Sequence, residues 1–214
     1  MLFRSAEMDN GKIKISRLFK SYGTHMVLAG FSAEFEKGKT TCVMAPSGAG
    51  KTTLLRILAG LEEADSGSIE GMEEMKKSMV FQEDRLCENL SASANIRLVR
   101  QKKPWGRDRE EVRQIREAMT AAGLSGCEDQ PVRELSGGMR RRVALLRALC
   151  CDWDILFLDE PFKGLDEETK KQVMDYTKEM CTGKTVIFVT HDSKEAVQMG
   201  AVCISLDHKE EERQ

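Results

Sequence analysis

Nothing in this 214-residue chain approaches the roughly eighteen consecutive apolar residues that a membrane-crossing helix needs. The opening stretch MLFRSAEMDNGK has no apolar run long enough for a secretory signal, so a cytoplasmic chain is expected. Neither sign of charge dominates: 33 basic residues face 35 acidic ones, for a formal net charge of -2. General attraction to nucleic acid or to an anionic membrane is therefore not expected. No pair among the seven cysteines has C-x-x-C spacing and the count is odd, which leaves free thiols in a reducing compartment. Cys42, Cys150 and Cys203 lie in apolar segments and are expected in the core. Internal repeats and low-complexity linkers are lacking too, so residues 1–214 read as one domain. What remains is an ordinary globular composition, 41% hydrophobic and 32% charged, enough for one substantial core.

Residues 12–36 alternate in the β manner, and TTCVMA (40–45) is a short apolar strand. LLRILAG reads as a helix stopped by Gly60. Short strands are expected near Ser68–Glu70 and Ser78–Gln82. Residues 83–134 carry little β signal. Asp108 with Glu111 forms a capping box, and Val112, Ile115, Met119 and Ala122 follow at helical spacing. A second helix should open at Ser136, with Met139, Val143, Leu146 and Cys150 on one face. The run ILFLD (155–159) has the character of a buried parallel strand. A helix over Glu167–Met180, the strand TVIFVT, a short helix from Ser193 and the strand AVCISL follow, and the tail DHKEEERQ is expected to be solvated. Strand–loop–helix alternation of this kind implies an α/β fold with a mainly parallel sheet covered on both faces.

Three segments carry chemistry. APSGAGKT (45–52) lies between a strand and a helix and fits the phosphate-loop pattern GxxxxGK[ST] except at its first position, where Ala45 stands for glycine. Such a loop turns backbone N–H groups into a concave nest at a helix N-terminus, where the dipole also favours anions. Alanine at position 45 is compatible if its φ is negative. Gly48 and Gly50 permit close approach, Lys51 would reach the β- and γ-phosphates, and the Thr52 hydroxyl would bind Mg²⁺. This pattern indicates a magnesium nucleotide, ATP above all. The second segment, ILFLDE, delivers Asp159 and Glu160 to the carboxyl edge of the sheet, where ligands bind in open α/β folds. Asp159 would hold magnesium through its water shell, and Glu160 would act as a general base on the attacking water. The third, LSGGM (135–139), opens a helix, so Ser136 and the Gly137 and Gly138 amides form a second anion-binding helix end. The run Arg140-Arg141-Arg142 is expected to be an exposed helix face rather than a nucleic-acid site.

With LSGGM beside the other two motifs, the chain resembles the nucleotide-binding subunits of ABC transporters, whose signature is LSGGQ. Met139 takes the glutamine position, losing a hydrogen-bonding side chain while keeping the backbone donors. The resemblance covers essentially the whole chain. It implies a P-loop NTPase core with an N-terminal antiparallel β subdomain and an inserted α-helical subdomain over about 83–152. It further implies that Ala45, Pro46, Ser47, Gly48, Ala49, Gly50, Lys51, Thr52 and Thr53 cradle ATP and that Tyr22 stacks on adenine. Gln82 would sense the γ-phosphate and magnesium, Asp166 in Gly164-Leu165-Asp166 would reach a partner subunit, and His191 would be the switch histidine. Each ATP would lie between the phosphate loop of one copy and the signature of a second. Separate transmembrane permease subunits, and a solute-binding protein acting through them, would be further partners. The chain would then sit peripherally on the inner face of the cell membrane. VFQEDRL (80–86) is similar to the nitrate, sulfonate and taurine group of bacterial importers. The groove for a cytoplasmic helix of the permease would run over Glu83–Asn95, with Leu86 and Leu90 forming an apolar docking site.

Overall fold

The computed structural model describes residues 11–100 and 109–206. Asp108, the opening stretch 1–10 and the tail 207–214 lie outside them, and so do the expectations placed there. Eleven alternating residues form β1 (Lys12–Tyr22), which turns at Gly23 into β2 (His25–Glu36). Together with β4 (Ser66–Glu70) they make an antiparallel sheet in the order β2-β1-β4. A second, all-parallel sheet is built from β3 (Thr40–Met44), β5 (Lys77–Val80), β6 (Ile155–Asp159), β7 (Thr185–Val189) and β8 (Val202–Ser205). Its order is β5-β6-β7-β3-β8.

The period-2 geometry of a strand sends alternate side chains to opposite faces. Ile155, Phe157, Ile187 and Val189 point into one core with Leu54, Leu55 and Leu58 of α1 (Lys51–Ala59) and with Ile13, Leu18 and Phe35 of the antiparallel sheet. Leu156, Leu158, Val186 and Phe188 point the other way, to a core shared with the remaining long helices. Those are α3 (Arg109–Ala121), α4 (Gly137–Leu149) and α5 (Glu167–Met180); α2 (Ala92–Arg97) and α6 (Ser193–Gln198) are shorter. Burial on both faces is why these strands read as continuous apolar runs.

The helix ends follow their signals. Gly60 closes α1 in the left-handed conformation, and the Ser136 and Asp166 side chains accept from Met139 N and Thr169 N to cap α4 and α5. Cys203 corrects the expected core placement: it is exposed, because β8 is an edge strand paired only with β3. Cys150 is half-buried, while Cys42 is buried as expected. Burial pushes the Cys42 thiol up to about 12, so it is inert.

Candidate nucleotide site

The parallel sheet brings the first two motifs together. β3 ends at Met44, and the loop 45–50 leads straight into α1. Gly48 and Gly50 take φ of +81° and +87°, which only glycine adopts cheaply. Gly50 is also constrained by space: a Cβ there would stand 2.7 Å from Val27 Cγ1 and 2.8 Å from the Val27 carbonyl oxygen of β2. Ala45 is not among the residues with positive φ, so the departure from glycine costs no backbone strain. Lys51 is buried, and its ammonium donates to the carbonyls of Ala45 (2.6 Å) and Pro46 (2.8 Å).

Asp159 ends β6 only 2% exposed. Burial pushes its carboxyl above the ordinary range; Glu160 adds to this, while the Thr52 hydroxyl bound to it, Arg141 and Arg56 oppose it. Its Oδ2 is buried without a hydrogen-bond partner. A buried carboxylate oxygen left bare beside a threonine hydroxyl at the mouth of a phosphate loop fits a divalent cation, directly or through its water.

Glu160 has φ +46°, a left-handed conformation that costs a non-glycine residue roughly 1–3 kcal/mol. That kink turns its side chain away from the strand. His191 Nδ1 lies 3.5 Å from Oε1, and Lys163 Nζ lies 2.9 Å from Oε2 as an ion pair rather than an aligned hydrogen bond. Burial pushes Glu160 up, but Lys163 and His191 outweigh it, so the carboxyl sits below its ordinary range. His191 itself is exposed at the end of β7.

The signature lies elsewhere. Ser136 caps α4, and a Cβ on Gly138 would meet Leu165 Cδ2 at 3.5 Å and the Gly164 carbonyl at 3.7 Å. The N-terminus of α4 thus abuts the loop carrying Asp166, whose carboxyl is held low by the Thr169 amide it accepts from. Tyr22 ends β1 of the antiparallel sheet, half exposed, its hydroxyl bonded to the Glu62 carboxylate. Leu90 is 37% exposed, whereas Leu86 is half-buried against the core.

The arginine run departs from expectation. Arg140 pairs with Glu88, and Arg142 donates to the carbonyls of Gly138, Ala122 and Gly123. Arg141 is 5% exposed and makes six hydrogen bonds, to the carbonyls of Phe81, Gln82, Asp159, Glu160 and Pro161 and to Asp84 Oδ1. The exposed-face expectation fails because position 141 lies on the buried stripe of α4, one turn before Leu145 and two before Ala148. That spacing was the available signal.

A family profile described as ABC transporter matches residues 28–163. The sulfate/thiosulfate import ATP-binding protein CysA of Xanthomonas campestris pv. campestris is 36% identical over 202 residues, covering 87% of this chain and 59% of that protein. The chain therefore spans about three-fifths of the CysA relatives' length, 59% in this case. The aliphatic sulfonates import ATP-binding protein SsuB 3 of Rhodococcus jostii is 35% identical over 198 residues, 92% of this chain and 71% of that one. Among solved structures, a dimeric post-hydrolysis state of the ATP-binding cassette MJ0796 bound to ADP and Pi superposes with a TM-score of 0.81. It is 27% identical, and the match covers 91% of this chain and 94% of that one.

Proposed function

The chain belongs to the ABC transporter family, and from that premise we propose that it is the ATP-binding and hydrolysing subunit of a membrane importer. The observation that carries this reading is the bare Oδ2 of Asp159 beside Thr52, with Glu160 next in sequence, at the sheet edge that also bears the phosphate loop.

In this reading residues 45–53 wrap the phosphates with backbone amides, and Lys51 exchanges the Ala45 and Pro46 carbonyls for phosphate oxygens. Thr52 and Asp159, with Gln82 completing the set, would hold Mg²⁺. When bound, that ion neutralises charge on the β- and γ-phosphates. Glu160 accepts a proton from the water whose oxygen attacks the γ-phosphorus as ADP leaves. Its depressed basicity is offset by position, and His191, already facing it, orients the γ-phosphate end. Tyr22 offers its ring to adenine.

Ser136, Gly137 and Gly138 form a phosphate-binding helix end whose neighbours are the 164–166 loop rather than their own phosphate loop. A second copy related by a twofold axis would bring this end, with Asp166, onto the ATP of the first. The dimeric post-hydrolysis state of MJ0796 supports that arrangement. No helix among the described residues is long and apolar enough to cross a membrane. In this reading the chain works with transmembrane permease subunits. They would dock over Glu83–Asn95, on a helical subdomain spanning about 83–152, and would bring a solute-binding protein. The importer relatives, for sulfate/thiosulfate and aliphatic sulfonates, support an oxyanion-containing solute.

The test is Glu160→Gln, which keeps shape and removes basicity. ATP should bind with wild-type affinity while turnover falls roughly 100-fold or more. Wild-type turnover would refute the assignment. Co-purification with membrane proteins tests the transporter setting, and capture of nucleic acid instead would overturn it.

A further inference from the structure

We infer that Arg141 is a positioning residue that holds Glu160 in its catalytic conformation and ties it to the Gln82 loop and the signature helix. The inference rests on the proposed role of Glu160 as general base. The geometry is particular. Glu160 occupies a left-handed conformation that a glutamate does not choose by itself. Its N–H is fixed by the Val189 carbonyl of β7 at 3.0 Å. On its other side, Arg141 Nη2 donates to the carbonyls of Asp159 (2.7 Å) and Glu160 (2.8 Å), and Nε donates to that of Pro161 (3.0 Å). Three consecutive carbonyls around the kink converge on one planar guanidinium.

The remaining nitrogen, Nη1, reaches the other functional loop. It donates to the Phe81 carbonyl at 2.6 Å, to that of Gln82 at 3.4 Å and to Asp84 Oδ1 at 3.1 Å. The same helix holds this loop a second time, through Arg147 and the carbonyls of Asp84 and Arg85. Arg141 lies three residues beyond Gly138, so the helix that presents the signature also carries the clamp. A shift of α4 would therefore move the Gln82 loop and the Glu160 kink together. The buried charge is matched by carbonyl dipoles and by Asp84, whose carboxylate is its ion-pair partner.

The experiment is a double-variant cycle on ATP turnover by the full chain. Arg141→Lys keeps the charge but loses the fork; Arg141→Gln removes the charge. Both should leave ATP affinity within about twofold and lower kcat by about tenfold, a fraction of the whole general-base effect. In a Glu160→Gln background the same changes should cost nothing further, because there is no base left to misplace. A residue that merely supports the fold would cost the same factor in both backgrounds. Three results overturn the inference: unchanged kcat, equal losses in both backgrounds, or loss of ATP binding in both variants. Wild-type turnover by Glu160→Gln alone would instead refute the base assignment and leave the Arg141 contacts to be explained otherwise.

Discussion

Asp159→Asn should stabilise the nucleotide-free chain while destroying its response to magnesium and ATP. The carboxylate is 2% exposed and one oxygen has no partner. An unsatisfied buried acceptor costs about 1–3 kcal/mol, more when charged. Arg141 and Arg56 offset part of that here, so removing the charge should gain about 1–2 kcal/mol. In a chain of this size each kcal/mol moves Tm by about 2–4 °C, which gives a rise of roughly 2–8 °C. The sign can be checked against pH. Burial raises the folded-state pKa above its unfolded value. The stabilisation tied to a protonated Asp159 is thus fully present below the unfolded pKa and is lost as pH rises through the folded one. The advantage of asparagine should vanish in acid and grow to its full size above that window. Scanning calorimetry of both proteins across pH, without nucleotide, measures it. Magnesium and ATP should then raise Tm for the wild type and barely for the variant. A variant less stable than wild type at neutral pH, or one that keeps the magnesium response, would refute the reasoning.

Lys51→Ala should abolish tight ATP binding in a calorimetric titration, since the loop loses its one cation. Lys163→Ala removes a charge 2.9 Å from Glu160, so the carboxyl pKa should rise; the acid limb of kcat/KM, which reports the free enzyme, should move to higher pH, and an unmoved limb would contradict the pairing. Met139→Gln, at a half-buried position just inside α4, should not lower ATP turnover in a steady-state assay, because Ser136 and the glycine amides already present the donors.

The elements that were legible are those whose physics is local. Continuous apolar runs marked β6 and β7, Ser136 and Asp166 announced their helices by capping chemistry, and the glycines of the phosphate loop declared their backbone conformation. Illegible features depend on partners distant in the chain. Arg141 reaches carbonyls 59 and 60 residues before it and 18 to 20 after it, and the Asp84 carboxylate 57 before it; helical spacing signals its burial, but nothing local names these partners. Cys203 sits in an apolar run, but its exposure is decided by β8 being an edge, a property of topology rather than of the run. The Tyr22–Glu62 bond spans 40 residues and joins the antiparallel sheet to the turn beyond α1.

In the proposed cycle each nucleotide site is completed by a second copy of the chain. Size-exclusion chromatography with light scattering on the Glu160→Gln variant tests it most directly. With ATP the variant should elute as a dimer, with ADP it should revert to monomer, and adding Ser136→Arg should prevent the ATP dimer by blocking the partner's site. An ATP dimer that persists unchanged with Ser136→Arg would rule out completion of the site by the partner's signature helix.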